Sequence, residues 1–229
     1  MQIEALVFDK DGTLFDFAAT WGAFGAAVLR RLSGGDDARA AQLGEAIGFD
    51  PVCGTYAPDS IVIAGTIDEI VDVLAPQLPE WSRAGLIEML NAESAGATQV
   101  EAVALAPFLR GLKQAGKRLG IATNDGEMPA REHLASVGVG DLFDFVAGYD
   151  SGHGFKPAPG QLLAFAEHVG IAPSQTAMVG DSLHDMQAGR AAGMTTIGVL
   201  TGMASAQDLA PLADVVLPDI GHIPAWLGI

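Results

Sequence analysis

Two carboxylates one residue apart, Asp9 and Asp11, close a short apolar run at residues 3–8 and precede Gly12-Thr13. Alternate side chains of an extended chain share a face, so Asp9 and Asp11 are predicted to point to one side and Lys10 to the other. Like charges facing one crevice repel unless a cation or a shared proton lies between them. A divalent ion with oxygen ligands, magnesium, meets that need. Such a pair also lets one carboxylate act as nucleophile while the other serves as acid and then base. Asp-Gly is equally a turn dipeptide, so the pair alone leaves both readings open.

Three later groups bear on the choice. Thr123-Asn124 puts a hydroxyl and an amide after a second apolar run. They suit hydrogen bonds to phosphate oxygens, although a helix N-cap shared with Asp125 has the same composition. Lys156 stands in the Gly- and Pro-punctuated stretch Gly154-Phe155-Lys156-Pro157. Asp181 and Asp185, within Gly180-Asp181-Ser182-Leu183-His184-Asp185, flank a strand-to-helix transition, where capping also favours acids. Turn formation, helix capping or, for Lys156, plain solvation explains each group singly but not the recurrence of an acid pair, a hydroxyl, a lysine and a second acid pair at successive junctions. His184 reads as a surface residue at the helix start, and the direction of Asp125 stays open.

These residues need elements that bring them together. Apolar runs bounded by turn residues predict strands near 3–8, 118–123, 143–149, 177–180, 195–200 and 213–217, with helices near 100–115, 128–137, 159–169 and 184–192. Gly116, Gly138, Gly170 and Gly193 stand where helix C-caps belong. The alternation predicts an α/β fold: a Rossmann-like, mostly parallel sheet with helices on both faces. Ligands of such sheets bind beyond the carboxyl ends of the strands, which is where all four groups fall. Residues 16–96 break the pattern, with helical stretches near 17–32, 36–47, 66–74 and 82–95 and no convincing strand. The expected organisation is a discontinuous core, 1–15 and 97–229, carrying an inserted all-helical cap, 16–96, that selects substrate.

Asp9-Lys10-Asp11-Gly12-Thr13-Leu14, Thr123-Asn124, Lys156-Pro157 and the Gly180–Asp185 stretch together resemble, in order and across nearly the whole chain, the four motifs of the haloacid dehalogenase-like hydrolase superfamily. Within it the phosphoglycolate-phosphatase-like subgroup, with a helical cap after the first strand, is the most similar. The resemblance implies a Mg²⁺-dependent phosphatase of a small phosphorylated metabolite, working through an aspartyl-phosphate. It implies Asp9 as nucleophile and Asp11 as acid and base. It further implies Asp9, the Asp11 backbone carbonyl and Asp181 as the magnesium site, with Asp185 reaching the metal directly or ordering its water shell, and Thr123, the Asn124 N–H and Lys156 as phosphate ligands. Lys10 replaces the commoner apolar residue and, pointing away, is expected to have no catalytic role. A phosphosugar mutase of the same superfamily and a non-catalytic regulator that binds a phosphorylated ligand are the alternatives; a pure binder needs no nucleophile.

Composition narrows the partners. At roughly 150 residues per domain, 229 residues fit a core with a smaller insertion. The 28 acidic against 12 basic residues give a net charge of −16, a surface that repels nucleic acid and anionic membranes. Cys53 is the single cysteine, so no intramolecular disulfide can form; a buried thiol and a cytoplasmic location are expected. Between Arg39 and Arg83 there is no Lys or Arg, whereas Glu45, Asp50, Asp59, Asp68, Glu69, Asp72 and Glu80 are acidic. Substrates with several extra anionic groups would find few partners there. Trp21, Phe24, Phe49 and Tyr56 are read as the cap's own core.

Overall fold

Strand β1 (Ala5–Phe8) is buried along its whole length, as a strand covered on both faces must be. Its side chains divide accordingly: Leu6 and Phe8 join the cluster on one face of the sheet, Ala5 and Val7 the cluster on the other. The fold was obtained as a computed structural model, and residues 3–229 are described. Five further strands complete a parallel sheet: β4 (Arg118–Ala122), β5 (Phe145–Ala147), β6 (Thr176–Gly180), β7 (Thr195–Val199) and β8 (Val215–Leu217). Two short strands, β2 (Phe49–Asp50) and β3 (Thr55–Tyr56), pair separately. The large sheet runs β5-β4-β1-β6-β7-β8, every neighbouring pair parallel. The chain leaves β1 towards β4 and β5, then returns to β6 on the other side, so strand order reverses at β1 and opens a crevice at its carboxyl end.

Helices α1 (Phe17–Ser33), α2 (Asp37–Ile47), α3 (Ile61–Ala64), α4 (Ile67–Leu74) and α5 (Arg83–Ala95) lie between β1 and β4 in sequence. Around the sheet follow α6 (Leu105–Gln114), α7 (Glu127–Ser136), α8 (Gly160–Val169), α9 (Leu183–Ala192), α10 (Ala206–Leu209) and α11 (Ile223–Leu227). Helix α8 approaches β4 closely because Gly120 has no side chain: a Cβ there would strike the Phe165 ring. Gly170 and Gly193 end α8 and α9 in the left-handed conformation, as their positions predict.

The first five helices enclose an apolar cluster of their own, with Phe17, Trp21, Phe24, Leu43, Val71, Leu74, Leu86 and Leu90 among its members. Trp21, Phe24, Phe49 and Tyr56 all belong to it, as expected. The structure departs from the expectation of helices alone over residues 16–96. Phe49 pairs with Tyr56 and Asp50 with Thr55 in an antiparallel ladder. Residues 51–54 form the turn: the Asp50 carboxylate accepts from the backbone N–H groups of Val52 and Cys53, and Gly54 takes positive φ. Two-residue strands fall below any alternation a sequence can display. This turn also projects Cys53 outward, so the thiol is exposed rather than buried. The helix predicted from residue 100 begins at Leu105 instead, because Glu101 bridges to Phe15 and its carboxylate accepts from the Leu105 N–H. Among the described residues, no helix is long and apolar enough to cross a membrane.

Candidate active site

Asp9 still belongs to the ladder, its N–H donating to the Val179 carbonyl, and the chain turns sharply only beyond it. Gly12 makes that turn at φ 78°. Its missing side chain has a second use: a Cβ on Gly12, or on Gly202 across the site, would overlap the Asp181 carboxylate. Asp181 is thus seated between two glycine backbones and 3 % exposed. Thr13 Oγ1 donates to its Oδ1 at 3.2 Å. Asp185 is fully buried in the first turn of α9, where it completes a capping box with Ser182. Its Oδ2 accepts from the Ser182 N–H at 3.0 Å and hydroxyl at 2.6 Å, and its Oδ1 faces Lys156 Nζ at 2.6 Å.

Oxygen atoms of Asp9, Asp181 and Asp185 lie within 4.8 Å of one another. Lys156, 3 % exposed, bridges two of the three, with Nζ 2.8 Å from Asp9 and 2.6 Å from Asp185. Burial opposes the charge on Lys156, but Asp185 and Asp9 outweigh it and hold the ammonium above its ordinary range. One ammonium does not balance three carboxylates. Burial first, then Asp185 and Asp11, push Asp9 up to about 7 despite Lys156. Burial, Asp9 and Asp185 raise Asp181 well above the carboxylate range. A cluster of hard oxygen donors with excess negative charge, out of water, fits a divalent metal ion.

Asn124 fixes the lysine. Its Oδ1 accepts from the Lys156 N–H at 3.0 Å, and its Nδ2 donates to the Lys156 carbonyl at 2.8 Å. The same Nδ2 reaches the Ala64 carbonyl at 2.8 Å, joining the core to the end of α3. Thr123 lies at the carboxyl end of β4, its hydroxyl accepting from the Asp125 N–H and its carbonyl from Gln161. All seven predicted residues therefore converge, with one distinction: the Asp11 carboxylate stands outside the acid trio.

It is Lys10 that holds Asp11. Strand geometry ends at Asp9, so the predicted alternation does not extend to Lys10 and it does not point away. Lys10 is fully buried, its Nζ 2.6 Å from Asp11, 3.2 Å from Asp125 and 2.9 Å from His133 Nδ1. The Trp21 ring lies 5.5 Å away. Burial disfavours the Lys10 charge, yet Asp11 and Asp125 raise its pKa. His133 Nε2 faces the Ser94 carbonyl at 2.6 Å, so Nε2 carries the proton and Nδ1 accepts from Lys10. Burial and the neighbouring Lys10 keep His133 below its usual pKa. Ser94 Oγ closes the network on Asp125 at 3.1 Å. Asp125, left open by the sequence, and His133 and Ser94, missed entirely, are thus the supports beneath Asp11; an acid beside Thr123-Asn124 was the one available hint.

Between these groups and the helical segment lies a cavity partly open to solvent. Asp9, Asp11, Thr123, Asn124, Asp125 and Lys156 line its floor, and Phe17, Trp21, Val62, Ile63, Ile67 and Ile70 its far wall. His184 is not a bystander on the surface: it lines the cavity and its Nδ1 lies 3.3 Å from the Ala64 carbonyl.

The raised Asp9 carboxyl has a signed consequence for cation binding. Its folded value near 7 exceeds the ordinary 3.8, so the folded protein retains a proton that the unfolded chain releases. This group's contribution to stability is greatest below the lower value and declines as pH rises towards the upper one. A divalent ion must displace that proton. Adding one is therefore expected to raise the melting temperature more at about pH 8 than at about pH 5.5, read by thermal denaturation at both. Equal shifts at the two pH values would contradict it.

Comparison with known proteins gives a consistent family. A family model described as haloacid dehalogenase-like hydrolase matches residues 3–193. A phosphoglycolate phosphatase of Neisseria meningitidis is 38% identical over 115 residues, 49% of this chain and 48% of that protein. Another, from Xylella fastidiosa, is 32% identical over 206 residues, 89% of this chain and 82% of its own length. The chain spans about half the length of the first of these curated relatives. In fold it is similar to a predicted phosphoglycolate phosphatase from Haemophilus somnus, with TM-score 0.75 at 18% identity, covering 99% of this chain and 98% of that one.

Proposed function

This chain belongs to the haloacid dehalogenase-like hydrolase family, and from that premise we propose that it is a Mg²⁺-dependent phosphatase hydrolysing a small phosphorylated metabolite through an aspartyl-phosphate. The observation that carries the reading is the convergence of Asp9, Asp181 and Asp185 with Lys156 at the carboxyl end of β1. Residues 16–96 act as the cap over a core of 1–15 and 97–229.

Asp9 attacks phosphorus in line; the bond to the alcohol oxygen breaks, and Asp11 delivers a proton to that oxygen. Asp11 then takes a proton from water as it attacks the aspartyl-phosphate, freeing inorganic phosphate and restoring Asp9. Lys156, the Thr123 hydroxyl and the Asn124 N–H hold the phosphoryl oxygens, and the Asn124 side chain keeps the lysine in place. Asp9, Asp181, Asp185 and the Asp11 carbonyl would hold Mg²⁺, which supplies charge neutralisation at the phosphoryl group. Lys10 fixes the Asp11 carboxylate at the cavity edge. The substrate is a free phosphate ester, with no nucleic acid or membrane involved, and the protein works in the cytoplasm.

The test is phosphate release from p-nitrophenyl phosphate with Mg²⁺, after removal of metal by a chelator, and after Mg²⁺ is restored. Activity is expected to vanish and return. Turnover indifferent to the chelator would overturn the metal-dependent mechanism.

A further inference from the structure

Resting on the phosphatase reading, we propose that the alcohol released by this enzyme is uncharged and mostly apolar, and that phosphate esters carrying a second anionic group are discriminated against. The cavity wall opposite the catalytic residues is built from Phe17, Trp21, Val62, Ile63, Ile67 and Ile70. Among the described residues no arginine lines the cavity, and the one lysine that does, Lys156, is committed to Asp9 and Asp185. The cap's arginines serve elsewhere: Arg31 pairs with Glu93, Arg39 with Glu80, and Arg83 with Asp68 and Asp72. Arg30 is exposed near the far end of α1.

Neutral donors do not fill the gap. The start of α4, beside Ile67, already carries an anion, because the Glu69 carboxylate accepts from the Thr66 N–H at 2.8 Å and hydroxyl at 3.0 Å. Asn124 and His184 both engage the Ala64 carbonyl. A second carboxylate on the substrate would lose its water against an apolar wall, with Asp11 and Asp125 facing it from the floor. The indole N–H of Trp21, a cavity-lining residue only 6 % exposed, is itself buried without a partner, so it offers a bound anion no accessible donor. An uncharged alcohol with an apolar body matches this lining.

A matched pair of substrates decides the matter. 2-Phosphoglycolate and the phosphate ester of glycolamide share a skeleton and differ in a carboxylate against a neutral amide. With Mg²⁺ present, kcat/KM is expected to favour the amide by at least about tenfold. Ile63→Arg, at a half-buried position of the wall, is expected to shift that ratio towards phosphoglycolate by about tenfold. A wild-type ratio near one, or one favouring phosphoglycolate while p-nitrophenyl phosphate is turned over, overturns this inference and leaves the phosphatase reading intact. No turnover of either ester or of p-nitrophenyl phosphate overturns the phosphatase reading, and the inference with it.

Discussion

Asp9→Asn is expected to lower kcat/KM for phosphate release by on the order of 10⁴-fold or more, because the variant keeps the side chain's shape and removes the attacking oxygen's charge. The choice of asparagine separates chemistry from folding. Burial and neighbouring carboxylates raise the Asp9 pKa, so without a bound cation ionised Asp9 is a charge held at a cost. Asparagine relieves that repulsion, and the melting temperature of the metal-free variant should equal or exceed that of the wild type near neutral pH. Lost turnover in a protein at least as stable reflects the loss of the Asp9 carboxylate, as nucleophile and as metal ligand, rather than unfolding. Phosphate release from p-nitrophenyl phosphate, followed beside thermal denaturation, checks both halves. A variant that retains more than about one hundredth of wild-type turnover would remove Asp9 from the role assigned to it.

Lys10→Met has the largest expected effect on stability. Lys10 Nζ sits between Asp11 and Asp125, and the Asp125 side chain is only 3 % exposed. Methionine fills similar space but leaves the buried Asp125 and the partly exposed Asp11 without their cation, a change that costs about 3–5 kcal/mol. His133 Nδ1 loses its donor at the same time. Urea denaturation near pH 7, with an unchanged m value, should report the loss as a lower midpoint. Adding Asp125→Asn to the variant removes one stranded charge and should recover at least about 1 kcal/mol. Wild-type stability in the single variant would show that water, not Lys10, compensates these acids. Turnover should fall too, since the same ammonium holds Asp11.

Much of the site was legible because a parallel sheet makes it so: whatever follows each buried run is delivered to one edge. Asp9, Thr123 and Asp181 each follow directly on β1, β4 and β6, and their meeting needs only topology. Lys156 and Asn124 were legible as types; that the Asn124 amide clamps the lysine's backbone was not, since it links two loops through geometry no spacing encodes. Lys10 was misread for a definite reason. Period-two alternation holds only while the backbone is extended, and the turn at Gly12 ends it at the residue where it was applied. His133 and Ser94 meet the network from α7 and α5, segments whose relation to β1 is purely tertiary. The β2–β3 ladder escaped because each strand has two residues, and Cys53 was misplaced with it.

Gly12 and Gly202 leave the Asp181 carboxylate no room for a neighbour's Cβ on either side. The far wall of the cavity is of another kind, composed of ordinary apolar side chains that each have alternatives of similar volume. The two halves of the molecule therefore offer mutation different liberties. Around phosphorus, almost any replacement is an obstruction; across the cavity, a replacement is a new preference. A lineage built on this scaffold can wander among alcohols while its treatment of the phosphate stays still.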